Sequence, residues 1–285
     1  MTRARARCVS GARALLNDTD LPCARLVCRA FRDHSSQAQK KCRVDFFRSR
    51  ALVVTWERMP GFVLSLVYMF LCAASVGCVE VLAELVDNRQ YPLTAHACGA
   101  AARKGHLGAL VWLRSRGCPW DGNTSSNAAE GGYFEVVRYA QEHGCPWGCV
   151  TCNMAAQEGH LEVLRYAHEH GCPWNFTTCY RAATGGSGGY LEVLRYAHEH
   201  GCPWDGYTTC YAASRGHLET LRYAHEHGCP WDSRTFRNAA EGGHLEVLQY
   251  AHEHGCPLPP DILAEALTRG YAEVAEYLRA AGAAA

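Results

Sequence analysis

Between Thr208 and Trp231 the apolar residues fall into two groups separated by a glycine. Ala212 and Ala213 close a first short helical stretch with small side chains that let a neighbour approach. Leu218, Leu221 and Ala224 then recur every three residues and give a second helix one apolar face. The punctuation agrees with that pattern. Thr208 reads as the N-cap of the first helix, Gly216 as the turn, and His217 as the opening of the second helix. Gly228 reads as the C-cap, and Pro230 forbids continuation. The segment predicts a short helix–turn–helix hairpin.

The hairpin repeats. Its turn glycine recurs at Gly77, Gly105, Gly132, Gly159, Gly186, Gly216, Gly243 and Gly270. Gly-Cys-Pro-Trp follows the second helix five times, and a sixth copy ends in Leu258. The cysteines of these copies (Cys118, Cys145, Cys172, Cys202, Cys229 and Cys256) are spaced by 27, 27, 30, 27 and 27 residues. The longer step comes from the insertion TGGSGGY around Gly186–Gly189, confined to a turn. A fixed period of this size is the mark of a solenoid, whose units bury their apolar faces only against one another. The expected fold is therefore all-α: a solenoid of stacked helix–turn–helix repeats after a small helical N-terminal segment. The expected division is a head at 1–60 and an array of about eight units at 61–285. Ser49–Gly61 reads as a degenerate half-unit, and Asp261–Gly282, rich in Glu and Arg, as the polar end cap.

Gly61–Val79 carries no charge and approaches the length of a membrane span. Its second half is in register with the repeats, because Leu71–Val86 follows the same alanine, glycine and Glu-Val-Leu spacing. It therefore reads as a buried helix of the first repeat, and no membrane partner is expected.

Charge and cysteine usage narrow the picture. Residues 1–60 hold 13 Lys/Arg and 5 Asp/Glu, whereas the remainder holds 15 and 23. The mildly acidic repeat region argues against nucleic acid as its main partner. The Arg-rich opening Met1–Leu16 resembles an organelle transit peptide or, as favoured here, the start of a helical domain. Most of the 17 cysteines sit at repeat-fixed positions. They read as small buried hydrophobes in a reducing compartment, the cytoplasm or nucleus.

Candidate chemistry is sparse. His-Glu-His recurs at His168/His170, His198/His200, His225/His227 and His252/His254. Residues two apart on a helix point about 200° apart, so neither histidine of a pair helps the other chelate. These histidines read as packing and hydrogen-bonding groups near helix C-termini, where positive charge is favoured. His143, Cys145, Cys149 and Cys152 have zinc-like spacing, but Cys145 and Cys152 have counterparts in other repeats and no second Cys-x-x-Cys follows. One aromatic lies seven residues after most turn glycines (Trp112, Tyr139, Tyr166, Tyr196, Tyr223, Tyr250, Tyr277), and another after each Cys-Pro (Trp120, Trp147, Trp174, Trp204, Trp231). Such rows could stack bases or sugars, but their regular spacing reads as packing between units. No nucleophile–base pair, acid pair, phosphate loop or cofactor motif stands out, so no catalytic residue, metal or cofactor is assigned.

Ala239–Gly255, AAEGGHLEVLQYAHEHG, closely resembles the ankyrin repeat, and the likeness runs over about residues 71–282. Ankyrin units run to about 33 residues, six more than here, and the shortfall lies where they extend a finger between units. The resemblance implies a non-catalytic protein-interaction scaffold whose first helices face the partner. Comparing repeats with one another shows where specificity would lie. The second helices are nearly identical, while the residues five and six before the turn glycine differ from unit to unit. Asn127, Asn153, Tyr180, Arg181, Tyr211, Arg237 and Asn238 are the expected partner-binding row, with Tyr and Arg its strongest members.

Upstream, Leu15–Asp33 resembles the second half of an F-box: Asp20 and Leu21, then Leu26, Val27, Cys28, Arg29, Phe31 and Arg32 match its ending. That resemblance implies docking through Leu21, Leu26, Val27 and Phe31 on the linker subunit of a cullin-type ubiquitin ligase. The repeats would then act as a substrate receptor.

Overall fold

The computed structural model describes residues 62–88, 90–186 and 189–282. Helix follows helix in pairs. The first pair is α1 (Phe62–Ser75) with a second arm split into α2 (Val79–Ala83) and a π-helical turn, π1 (Glu84–Asn88). Next come α3 (Ala95–Ala102) with α4 (Leu107–Ser115), α5 (Gly122–Glu130) with α6 (Phe134–Glu142), and α7 (Cys149–Gln157) with α8 (Leu161–Glu169). Then follow α9 (Phe176–Thr184) with α10 (Leu191–Glu199) and α11 (Gly206–Ser214) with α12 (Leu218–Glu226). The series ends with α13 (Ser233–Gly242) and α14 (Leu245–Glu253), then α15 (Ile262–Arg269) and α16 (Ala272–Ala280). Contacts divide the chain into two bodies at Thr124/Ser125.

In the N-terminal body α1 packs on α3 and α2 on α4. Phe70, Leu82, Leu85, Leu110 and Leu113 fill the space between them and are essentially inaccessible. The uncharged run at 61–79 thus supplies a first helix of 14 residues and a turn at Gly77. No helix among the described residues is long and apolar enough to cross a membrane. The second arm of this pair departs from the repeat. Apart from the repeat with the turn insertion, the other second helices are followed by a glycine twelve residues after the turn glycine, where the sequence here has Arg89. This arm ends in the wider turn π1, after which Gln90 has a positive φ of 51°.

In the C-terminal body the layers are regular. The first helices α7, α9, α11, α13 and α15 pack in sequence, as do the second helices α6, α8, α10, α12 and α14. Within each pair, first and second helices also touch. The first helices approach more closely because Ala155/Ala156, Ala182/Ala183, Ala212/Ala213 and Ala239/Ala240 lie fully buried between them. Val163/Leu164, Val193/Leu194, Leu221 and Val247/Leu248 form the matching apolar line of the second helices.

The glycine and cysteine landmarks have defined tasks. At the end of α12 the Cys229 amide donates to the Ala224 carbonyl (2.8 Å) and the Gly228 amide to His225 (3.0 Å), with Gly228 at φ 81°. This double bond closes the helix and requires the left-handed glycine. The thiol of Cys229 then donates to the Asp205 carbonyl (3.3 Å), tying the tail of the hairpin to its own beginning. Cys172, Cys202 and Cys256 repeat the bond to Gly148, Asn175 and Asp232 at 3.2–3.4 Å. The cysteines are thus buried, as expected, and also act as hydrogen-bond donors.

One local reading needs correction. Thr208 is not the N-cap of α11: that place belongs to Asp205, whose carboxylate accepts from the Tyr207 amide at 3.1 Å. Thr208 lies three residues inside the helix and is fully buried. Asn175 and Asp232 cap α9 and α13 in the same way. A carboxylate or amide at the cap is a stronger acceptor for the exposed first-turn amides than a hydroxyl one turn later.

Candidate functional site

Helices α9, α11 and α13 are held on one side by the alanine pairs and at their start by the side-chain caps of Asn175, Asp205 and Asp232. Their outward positions are free of that packing. On α9 the residues so placed are Phe176 and Tyr180, and on α11 they are Tyr207 and Tyr211; in each case four residues apart, so both rings share one face. Ring centroids lie 6.4 Å apart for Phe176–Tyr180 and 6.3 Å for Tyr207–Tyr211. Between the helices Tyr180 and Tyr211 stack at 5.1 Å with 27° between planes. The four rings form one continuous aromatic surface across two repeats. Phe176 is 44% exposed, Tyr207 48% and Tyr211 39%, unusual values for side chains of this size.

Two guanidinium groups edge the patch. That of Arg181 lies 5.8 Å from the centroid of Tyr180 and donates to Gln157 Oε1. That of Arg234 lies 5.5 Å from Tyr207 and pairs with Asp232 at 2.8 Å. Helices α7, α9 and α11 contain no Asp or Glu, whereas α8, α10 and α12 contain six Glu.

The remaining residues of the expected row are placed differently. Arg237 is committed to carboxylates, Asp261 at 2.7 Å and Glu265 at 2.9 Å, and so ties α13 to α15. Asn238 is half-buried and donates to the Cys210 carbonyl at 3.3 Å. Asn127 is half-buried in α5. Asn153 is not exposed: it retains 7% of its surface, and its Oδ1 accepts from the Thr178 hydroxyl at 2.7 Å. Variation at that position therefore reflects a polar contact between repeats. Leu21, Leu26, Val27 and Phe31 lie outside the described residues. Phe176 and Tyr207 were missing from the expected row. They sit nine or ten residues before their turn glycines, and the residue nine before is Asn123, Val150, Thr177, Tyr207 or Arg234 in successive repeats. The comparison that selected Tyr180 would have found them one turn earlier.

The second-helix side is occupied by packing between repeats. His168 stacks on Trp174 at 3.7 Å, and Trp174 meets Tyr196 of the following repeat edge-on at 6.2 Å. The same arrangement recurs at His198/Trp204/Tyr223 and His225/Trp231/Tyr250. At these three junctions the aromatic rows are thus packed between neighbouring repeats, buried or half-buried, rather than open platforms. His170, His200, His227 and His254 each place Nδ1 2.8 Å from the carbonyl four residues back, satisfying the last turn of their helices. At the zinc-like motif, His143 Nδ1 lies 2.9 Å from the Tyr139 carbonyl, Cys145 accepts from the Ser125 hydroxyl at 3.3 Å, and Cys152 is fully buried. Among the described residues no three His, Cys, Asp or Glu side chains converge as a metal would require.

The model of ankyrin repeats (many copies) matches residues 210–252. This segment is made of ankyrin repeats. It runs from Cys210 in α11 to His252 in α14 and so includes one complete passage from second helix to first helix and on to the next second helix. Ankyrin repeats typically serve as protein-binding scaffolds and are usually non-catalytic. Tyr211, at the centre of the aromatic patch, lies inside the ankyrin segment, while Phe176 and Tyr180 belong to the preceding first helix of the same stack. No curated protein matches the chain.

Proposed function

We propose that the chain is a non-catalytic scaffold that binds a protein through the first-helix face of its C-terminal body. The observation that carries this reading is the aromatic cluster of exposed Phe176, Tyr207 and Tyr211 stacked around half-buried Tyr180. Aromatic rings held rigid by a helix, with guanidinium groups at the rim, are what protein interfaces use as anchors. The eight turn glycines support extending the array over 61–285, with 1–60 as a separate head. Thiols used as buried donors to backbone carbonyls suit a reducing compartment, the cytoplasm or nucleus. Proximity labelling from the full chain would identify partners. The Tyr180→Ala/Tyr211→Ala variant should then fail to co-purify them while unfolding at an unchanged urea midpoint. Retained co-purification would move the site elsewhere.

The F-box-like motif at Asp20–Arg32 favours a second, compatible reading, in which the bound protein is delivered to a ubiquitin ligase. Co-purification with the ligase linker subunit, lost on Leu26→Asp/Phe31→Asp, is the result this reading requires. Its absence would leave the scaffold alone.

A further inference from the structure

Three successive repeat junctions in the C-terminal body place the same pair of imidazoles in the same relation. His168, His198 and His225 lie 5.9, 5.8 and 5.6 Å from His200, His227 and His254 of the following repeat, with planes 76–78° apart. The first histidine of each pair is half-buried and stacked on its own tryptophan at 3.7–3.9 Å. It also meets the next repeat's tyrosine edge-on at 5.8–6.2 Å. At the third junction His225 Nδ1 bonds the Tyr250 hydroxyl at 2.9 Å. The second histidine of each pair is exposed and bonds the carbonyl four residues back in its own helix through Nδ1 at 2.8 Å.

We propose that these histidine pairs form a proton-sensitive ladder through which mild acid loosens successive repeats from one another. The groups facing the buried imidazoles act in both directions. Glu169, Glu199 and Glu226, each next in sequence, favour the charged form, as does the face of the stacked indole. Burial and the like charge of His200, His227 or His254 across the junction oppose it, and on balance His168, His198 and His225 are held below the ordinary histidine pKa, burial being the larger cause. The sign follows. A histidine whose folded pKa is depressed binds more protons unfolded than folded, so its contribution is complete above the unfolded value of about 6.5 and is lost as pH falls. The repetition is what makes a device of it. In a stack where each repeat is held only by its neighbours, three equivalent junctions weaken together.

Urea unfolding of the full chain at about pH 7.5 and about pH 5.5, above the range in which carboxylates ordinarily titrate, tests this. The midpoint should fall on acidification. The variant His200→Gln/His227→Gln/His254→Gln alters only exposed side chains and removes the facing charges, so it should lose a substantial part of that fall. A second variant, His168→Phe/His198→Phe/His225→Phe, keeps a ring on the indole and should lose nearly all of it. A wild-type midpoint that holds or rises in acid, or an equal fall in wild type and the exposed-site variant, would overturn the proposal. These outcomes do not depend on partner binding, so they separate this inference from the scaffold reading.

Discussion

His244 covers Gly216. A Cβ on that glycine would meet the imidazole Nδ1 at 2.5 Å, and the ring's Nε2 bonds the Ser214 carbonyl at 3.1 Å. The same lock joins His160 to Gly132 and the Glu130 carbonyl, while Tyr190 and Tyr271 cover Gly159 and Gly243. At these four positions the side chain opening the second helix makes no capping bond to its own helix. It reaches back to close the preceding turn, which is why glycine and the ring recur together. Gly216 also sits at φ 74°, where a side chain costs about 1–2 kcal/mol before any clash. Gly216→Ala should lower stability by at least that amount, and His244→Ala by less. Urea midpoints of the two variants provide the check, and a neutral Gly216→Ala would mean the lock is not a determinant of stacking.

Leu221 loses all solvent exposure in the line of second-helix side chains. Leu221→Ala should cost about 2–5 kcal/mol through lost burial and an unfilled cavity. Because each repeat depends on its neighbours, hydrogen exchange should speed up in α10 and α14 as well as in α12. Acceleration confined to α12 would argue for independent hairpins.

Burial raises the thiols of Cys229 and Cys256 to about 12, so they remain neutral and shielded at ordinary pH. Cys149 is half-exposed on the first turn of α7. A thiol-alkylating reagent applied to the folded chain should label Cys149 well before Cys229 or Cys256, read site by site by mass spectrometry. Early labelling of Cys229 would show that the hairpin tail opens readily.

Asp232 caps α13 and is held below the usual carboxylate range, first by Arg234. A depressed carboxylate stabilises the fold above its unfolded pKa and loses that contribution as pH falls through its folded value. Asp232→Ala should cost about 1 kcal/mol at neutral pH and progressively less below about pH 4. An equal cost at low pH would assign the effect to packing instead of charge.

Much of this was readable from the chain because a repeat is its own control. Positions that must pack recur, so Ala212/Ala213, Leu221 and Gly216 could be placed from spacing alone. The cap was misplaced because Thr208 and Asp205 are both good cap residues and only backbone geometry tells which lies at the helix boundary. Asn153 looked like a surface residue because it varies, yet variation also accompanies polar contacts between neighbouring repeats, such as its bond with Thr178. The cluster of Phe176, Tyr180, Tyr207 and Tyr211 depends on how two helices are set side by side. Comparison of the repeats picked out Tyr180 and Tyr211 but neither Phe176 and Tyr207 nor the stacking of the four rings.

The scaffold account is tested most directly by photo-crosslinking from the two faces of the C-terminal body. A photoreactive phenylalanine analogue would replace Tyr211 on the first-helix face in one full-length protein and Gln249 on the second-helix face in another. The account predicts specific protein adducts from position 211 that compete away with unlabelled chain, and none from position 249. Adducts from 249 alone, or from neither position while partners still co-purify, would contradict it.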